Sequence, residues 1–360
     1  MNALDSLNET RMSHADTAAL IAALPQPVLI VGSDGFVQVA NPAACELFGA
    51  QIRGAQIRAY LRQPQVATML EEVLAGNTEG TACFVTNVSS RETVWRVIAR
   101  HAAPDLLVLS LTDISDIETA EAQRRDFVAN VSHELRSPLT VLAGFIETLQ
   151  GPAGEDSATR SEFLGIMAEE AERMSGLVAD LLSLSRVESI EKIRPKTPVS
   201  INMVLKATLA ALRPQIEAAG VKIDYNVPES LPEIPGDYDQ LVQVFHNLVE
   251  NGLKYGSAGG RLEITAQPPC SMPGFETAVL RVSIRDFGEG IDPIQIPRLT
   301  ERFYRVDKAR SRERGGTGLG LAIVKHILNR HRGRLVIRSS LGEGASFDAL
   351  LPCCASLEKG

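Results

Sequence analysis

No two of the five cysteines, Cys45, Cys83, Cys270, Cys353 and Cys354, stand at Cys-x-x-Cys spacing, and none joins a histidine at zinc-ligand spacing. A disulfide framework and a structural zinc are therefore not indicated; reduced thiols are expected. The chain also lacks an apolar run of the roughly 18 residues that a membrane span needs. Its longest candidate, "AALIAALPQPVLIV", is interrupted by Pro25 and Pro27. A basic N-terminal start followed by a small-residue cleavage site is missing too, so a soluble, cytoplasmic protein is expected, with no membrane span. Positive charge is not in excess: 36 Lys and Arg stand against 44 Asp and Glu, a net of -8. That balance argues against direct binding to nucleic acid. No internal repeat and no low-complexity tract interrupts the chain. What remains is 360 residues with 44% hydrophobic content, enough for two or three globular domains.

The first of these reads as α+β. In "PVLIVGSDGFVQVANPAACELFG" a strand, an Asp-Gly turn, a second strand and a short helix opening at Asn41-Pro42 follow one another. Further β-like runs come at "TACFVTNVS", "ETVWRVIARHA" and "DLLVLSLTDIS". An antiparallel sheet is expected. The arrangement resembles a PAS sensory domain, and the closing "LTDIS" is similar to that family's exit into a helix. No chromophore is expected, because a lone strand histidine, His101, reads as structural, and Cys45 and Cys83 read as packed thiols.

Beyond Asp116 the pattern turns helical. Phe127, Val131, Leu135, Pro138, Leu142, Phe145 and Leu149 recur at steps of three and four, and "GPAGEDSAT" ends the helix. A second helix over about 160–188 repeats the rhythm with Phe163, Met167, Ala171, Met174, Val178 and Leu181. Two such helices bury little alone, so pairing with a second copy into a four-helix bundle, and hence a homodimer, is expected.

On the first helix, in "VSHELRSPLT", His133 lies two residues from both Val131 and Leu135, about 200° round from each seam position. It should face water. A core histidine would sit on the apolar stripe instead. Glu134 is its neighbour in sequence and Ser137 stands at i+4 on the same exposed face. A carboxylate beside an imidazole can hold one ring nitrogen as N–H and raise the basicity of the other.

The third region supplies four separated pieces. "HNLVENGLKYG" places Asn247 and Asn251 on one helix face, with Lys254 and Tyr255 following. Amide oxygens are neutral ligands for a hard cation, and a sparse protein contribution suits Mg2+ shared with phosphate. "DFGEG" closes an apolar strand with Asp286, Gly288 and Gly290, a carboxylate able to accept from a base amine and two glycines permitting close approach. "ERFYRVDKARSRERGGTGLGLAIVKHI" is a basic loop followed by a glycine-rich turn into a helix, whose free N–H groups can cradle phosphate. "SSLGEGASF" precedes a last apolar strand.

As an ordered set these pieces resemble the H, N, G1, F and G2 boxes of the two-component sensor histidine kinases, over about residues 125–350. That resemblance implies a multidomain α+β protein. It would hold a PAS-like α+β domain, an antiparallel helical hairpin forming a dimeric four-helix bundle, and a Bergerat-type α/β sandwich that binds ATP. The boundaries expected are a tail over 1–14, the sensory domain over 15–115, the hairpin over 116–190, a linker over 191–198, the catalytic domain over 199–353 and a tail over 354–360.

Position by position, the resemblance implies His133 as phosphoacceptor, Glu134 as the base activating it, and Ser137 for dephosphorylating a partner. It implies Asn247 and Asn251 for the metal, Lys254 for phosphate, Tyr255 for stacking on adenine, and Asp286 for the adenine amine, with Gly288 and Gly290 beside it. Phe303 and Arg305 match the F-box pair, Arg305 for the γ-phosphate, and Gly316, Thr317, Gly318, Leu319 and Gly320 match the G2 box. ATP and Mg2+ are the cofactors implied, and the receiver domain of a response regulator is the partner. Gly252 departs from the family's usual alanine, and Ser137 from its threonine or asparagine. In wording the chain is nearest to the phosphate-regulon branch of the family.

Two rivals are weaker. A Bergerat ATPase driving a conformational cycle needs a glutamate to activate water where this chain has Asn247, and it leaves the exposed His133-Glu134 pair unexplained. An ATP-binding scaffold without phosphotransfer would be suggested by loss of His133, Asn251 or Asp286, and all three are kept.

Overall fold

The structure is a computed structural model that describes residues 19–88, 91–151, 155–191, 193–306 and 316–353. The expected tails 1–14 and 354–360, residues 152–154 of the interhelical turn, and residues 307–315 of the basic loop lie outside them. Two compact units are present, Met1–Asp126 and Phe127–Gly360.

The first unit is built on a five-stranded sheet. Its strands are β1 (Val28–Gly32), β2 (Val37–Ala40), β3 (Glu79–Val88), β4 (Arg91–Ala103) and β5 (Leu106–Asp113), in the order β2-β1-β5-β4-β3. Every pairing is antiparallel, as the alternating runs predict. Gly35, in the Asp-Gly turn between β1 and β2, has φ +80°, which a side chain would strain. The Asn41-Pro42 signal opens helix α1 (Pro42–Phe48): Asn41 Oδ1 accepts from Ala44 N at 2.9 Å and from Val28 N at 3.0 Å, and Pro42 needs no donor in the first turn. One capping side chain thus ties the helix start to the sheet. A second helix, α2 (Pro64–Leu74), was not expected. Its Val66, Met69, Leu70 and Val73 are buried at helical spacing against the sheet. His101 Nε2 bonds Val73 O at 2.9 Å, a structural contact. Cys83 corrects the expectation of a packed thiol: it is exposed, because on β3 it points away from the face that buries Phe84.

The hairpin of the second unit comes from the part of helix α3 (Ser115–Gln150) beyond Asp126 and from helix α4 (Ser157–Ile190). Asp156 caps α4, accepting from Ala158 N and Thr159 N, and the Thr159 hydroxyl bond holds its carboxyl below the ordinary value. Helix α3 continues through Pro138, which is buried. Its seam residues from Phe127 to Leu149 are buried or half-buried, as the spacing predicts. On α4, Phe163, Met167, Met174 and Leu181 of the expected seam are half-buried and Ala171 and Val178 exposed in a single chain, while Leu177, Leu184 and Val187 are buried. Those three join the core of the α/β region that follows, so this helix has two apolar faces to satisfy and not one.

That region starts with β6 (Thr197–Val199), which overlaps the last two residues of the segment expected to be a linker and pairs with β8 (Ile234–Gly236). Helices α5 (Ile201–Ala219), α6 (Tyr238–Gly256) and α7 (Gly320–Arg330) pack on a second sheet, in the order β11-β12-β10-β9-β7. Here β7 is Lys222–Asn226, β9 Arg261–Cys270, β10 Val279–Asp286, β11 Arg334–Ser339 and β12 Ala345–Pro352. Only β7 pairs in parallel, with β9, and its crossover is the long connection through α6. The buried layer between helices and sheet includes Phe245, Leu248, Ile264, Ile284 and Ile323, each such side chain contributing roughly 1.5–3 kcal/mol. An alanine Cβ at Gly252 would approach Leu262 Cδ1 to 2.4 Å, so the end of that leucine side chain would have to turn aside.

His331 closes the end of α7. Its Nδ1–H donates to Ile327 O at 2.7 Å while Nε2 accepts from Asp237 N at 3.0 Å, and burial holds the imidazole below its ordinary pKa. Protonation would set a second ring N–H against a backbone donor. The unfolded chain takes up this proton as pH falls through about 6.5, whereas the folded chain takes it up only lower, so the contribution is complete above that value and is lost on acidification. Thermal melts from about pH 7 to about pH 5.5 are expected to fall less steeply in His331→Gln, which does not titrate, than in the wild type.

Candidate functional site

Helix α6 carries a buried stripe of Leu241, Val244, Phe245, Leu248 and Val249 toward the sheet. Its opposite stripe, Gln243, His246, Asn247, Glu250, Asn251, Lys254 and Tyr255, recurs at the same helical period and lines a cleft of about 630 Å³. Asn247 Nδ2 donates to Gly320 O at 3.3 Å, so its amide oxygen is the atom without a hydrogen bond among the described residues. Lys254 is paired with Glu250 at 3.0 Å, one turn back, and Tyr255 lies on the rim, 41% exposed. The sequence reading found Asn247, Asn251, Lys254 and Tyr255; it missed Gln243, His246 and Glu250, which the i, i+3, i+4 rhythm of α6 could have supplied.

Asp286 forms another wall, at the end of β10. It is 6% exposed, and burial pushes its carboxyl pKa up, against the pull of the N–H groups of Gly288 at 3.0 Å and Ala345 at 3.2 Å. Both donors converge on Oδ1, so the second oxygen is the one left to meet a ligand. The glycines around it serve packing. A Cβ on Gly288 would lie 2.8 Å from Gly256 Cα, and one on Gly344, at φ +76°, 2.1 Å from Asp286 O. Gly290 lines the cleft, yet its bare face is turned to Ser340 O, 2.0 Å from where a Cβ would be. Gly288 does not line the cleft.

The glycine turn before α7 closes the cleft with Gly316, Thr317, Gly318 and Gly320. Leu319, read with them, is fully buried in the core. Phe303 is also outside the cleft: at φ +62° its ring packs on Phe127 of the hairpin, centroids 5.9 Å apart. Arg305 does line the cleft. Its Nη2 donates to Glu134 Oε2 at 3.3 Å, and its buried Nε has no partner among the described residues.

Glu134 thus has a partner 171 residues along the chain: its carboxylate is held toward Arg305, while consecutive residues on a helix diverge by about 100°. His133 and Ser137 are exposed on α3, as their spacing predicts, and neither lines the cleft. From α4 come Glu172, Arg173, Gly176 and Asp180, contributors that sequence spacing alone did not reveal.

Two family profiles match the chain. One, described as "His Kinase A (phospho-acceptor) domain", covers residues 123–190, and the other, "Histidine kinase-, DNA gyrase B-, and HSP90-like ATPase", covers residues 236–354. The phosphate regulon sensor protein PhoR of Pseudomonas aeruginosa is 34% identical over 332 residues, 91% of this chain and 72% of PhoR. The chain belongs to the sensor histidine kinases of two-component systems, enzymes that phosphorylate histidine from ATP. The sensor protein kinase WalK of Staphylococcus aureus is another relative of this histidine kinase, 38% identical over 243 residues. That match takes in 68% of this chain and 57% of WalK, so the kinase spans less than two thirds of that relative. Among solved structures, histidine kinase ThkA in complex with response regulator protein TrrA superposes with a TM-score of 0.49 at 18% identity, over 93% of this chain and 98% of that one. No helix among the described residues of the kinase is long and apolar enough to cross a membrane.

Proposed function

We propose that this kinase transfers the γ-phosphoryl group of MgATP to His133 and passes it to an aspartate of a response-regulator receiver domain in phosphate-regulon signalling. The observation that carries the transfer is the ion pair of Arg305 with Glu134, the residue next to His133: it ties the cleft wall to the helix turn that bears the histidine. The cleft fits a nucleotide in volume and chemistry. Asp286 offers a recessed acceptor for an adenine amine, the glycine turn offers backbone N–H groups, and Arg305 Nε is a buried donor without a partner among the described residues, as an anion acceptor would require. The amide oxygens of Asn247 and Asn251 suit Mg2+, which when bound supplies charge neutralisation on the phosphates.

In the proposed step an imidazole nitrogen of His133 forms a bond to the γ-phosphorus as the bond to the bridging oxygen breaks, and ADP leaves. Arg305 neutralises the charge on the transferring group, while Glu134, released from Arg305, accepts the proton from the other ring nitrogen. Ser137, one turn beyond His133, is proposed to position water when the phosphorylated regulator is hydrolysed.

The N-terminal sheet unit is proposed as a PAS-like sensor, and the cytoplasm as the site of action. A homodimer is proposed from the hairpin, whose Leu139, Ile146, Leu164 and Leu182 are between 46% and 67% exposed in one chain. The phosphate-regulon assignment is supported by the identity to PhoR along 91% of the chain. Incubation of the purified protein with γ-labelled ATP and Mg2+ tests the reaction: acid-labile, alkali-stable label is expected, and EDTA should abolish it. Bound ATP without such label would refute it.

A further inference from the structure

Helix α4 enters the cleft through one carboxylate. Asp180 Oδ2 accepts the Thr317 hydroxyl at 2.7 Å, and Thr317 Oγ1 in turn accepts from Leu319 N at 3.3 Å. Two hydrogen bonds through three residues therefore run from the hairpin to the first residues of α7, where Leu319 precedes Gly320 and makes no side-chain cap. Because the hydroxyl proton is bound to Asp180, the oxygen lone pairs are turned toward the backbone of the glycine turn. Burial pushes the Asp180 carboxyl pKa up, and Glu250 across the cleft adds to that shift, so keeping an acid here is costly unless the bond to Thr317 matters. Small and polar neutral residues would fill this wall without that cost.

We propose that Asp180 is a positioning residue for phosphoryl transfer: from the hairpin it sets the Thr317 hydroxyl, and with it the glycine turn, in register with the hairpin whose first helix carries His133. The inference rests on the proposed transfer to His133. It gives α4 a part in catalysis beyond packing, since the same helix that buries Leu177 and Leu184 in the core of the α/β region also holds the turn of the cleft.

The test compares Asp180→Ala, which removes the acceptor, with Asp180→Asn, whose carbonyl still accepts from the hydroxyl. Labelling of His133 at saturating MgATP is read beside the affinity for a fluorescent ATP analogue. In Asp180→Ala the maximal rate is expected to fall about tenfold or more while analogue affinity stays within about threefold, the size of effect for one misplaced buried hydrogen bond. Asp180→Asn should recover most of that rate, and Asp180→Ala combined with Thr317→Val should be no slower than Asp180→Ala alone. Unchanged or faster labelling in Asp180→Ala would overturn the proposal. So would a loss confined to analogue affinity, which would make Asp180 a binding residue, or equal loss in Asp180→Asn, which would assign the effect to charge. Absence of label in the wild type would instead refute the transfer reading itself, so the two failures are separable.

Discussion

Replacing His133 by alanine is expected to abolish the acid-labile label that γ-labelled ATP leaves on the wild type, a loss of at least about a thousandfold in rate, because no neighbour can substitute for the attacking nitrogen. The fold should be indifferent to the change. His133 is exposed on α3, away from the half-buried seam of Val131 and Leu135, and exposed positions of this kind usually shift stability by less than about 0.5 kcal/mol. Nucleotide binding should survive as well, since the ring does not line the cleft. The measurement is labelling followed by acid and alkali treatment, with an ATP analogue titration on the same preparation. Label retained by His133→Ala would place the acceptor elsewhere; loss of analogue binding would mean that the hairpin shapes the cleft through this residue.

Asp286→Asn is expected to weaken nucleotide binding about a hundredfold although it alters a single atom. Gly288 N and Ala345 N both donate to Oδ1, so an asparagine must turn its carbonyl oxygen to them and leave its NH2 at the position of the second oxygen. A donor then faces the adenine amine, which is also a donor. Stability should rise slightly or hold, because burial already disfavours the charged carboxylate and the neutral amide has no such penalty. Calorimetric titration with ATP against GTP reads the effect: the preference for ATP should collapse along with affinity. Near-normal ATP affinity in this variant would show that Asp286 does not read the base.

Much of this was legible in one dimension because it depends on periods and local chemistry. Strand alternation placed β4, β5, β9, β10 and β11, and the Asn41-Pro42 pair announced α1 through a cap that works within four residues. The two asparagines one turn apart on α6 could share a face only one way. Helix α2 gives a weak signal because its apolar positions, compressed between Pro64 and Leu74, span barely three turns. Helix α4 carries a second stripe, Leu177, Leu184 and Val187, beside the expected seam, and a single helical period cannot say which of two apolar stripes meets which partner.

By itself the sequence determined the exposure of His133, the shared helix face of Asn247 and Asn251, the carboxylate ending β10 and membership in a family of kinases, since each follows from residue type at fixed spacing. Only the tertiary structure decided that Glu134 turns to Arg305, that Phe303 leaves the cleft for Phe127, that Leu319 is core, and that Asp180 reaches Thr317. Those contacts join residues from 137 to 176 positions apart, except Leu319, whose burial depends on the same long-range packing. Spacing fixes which face a side chain occupies. What stands opposite that face is set by how helices and sheet pack, and that is a property of the whole core.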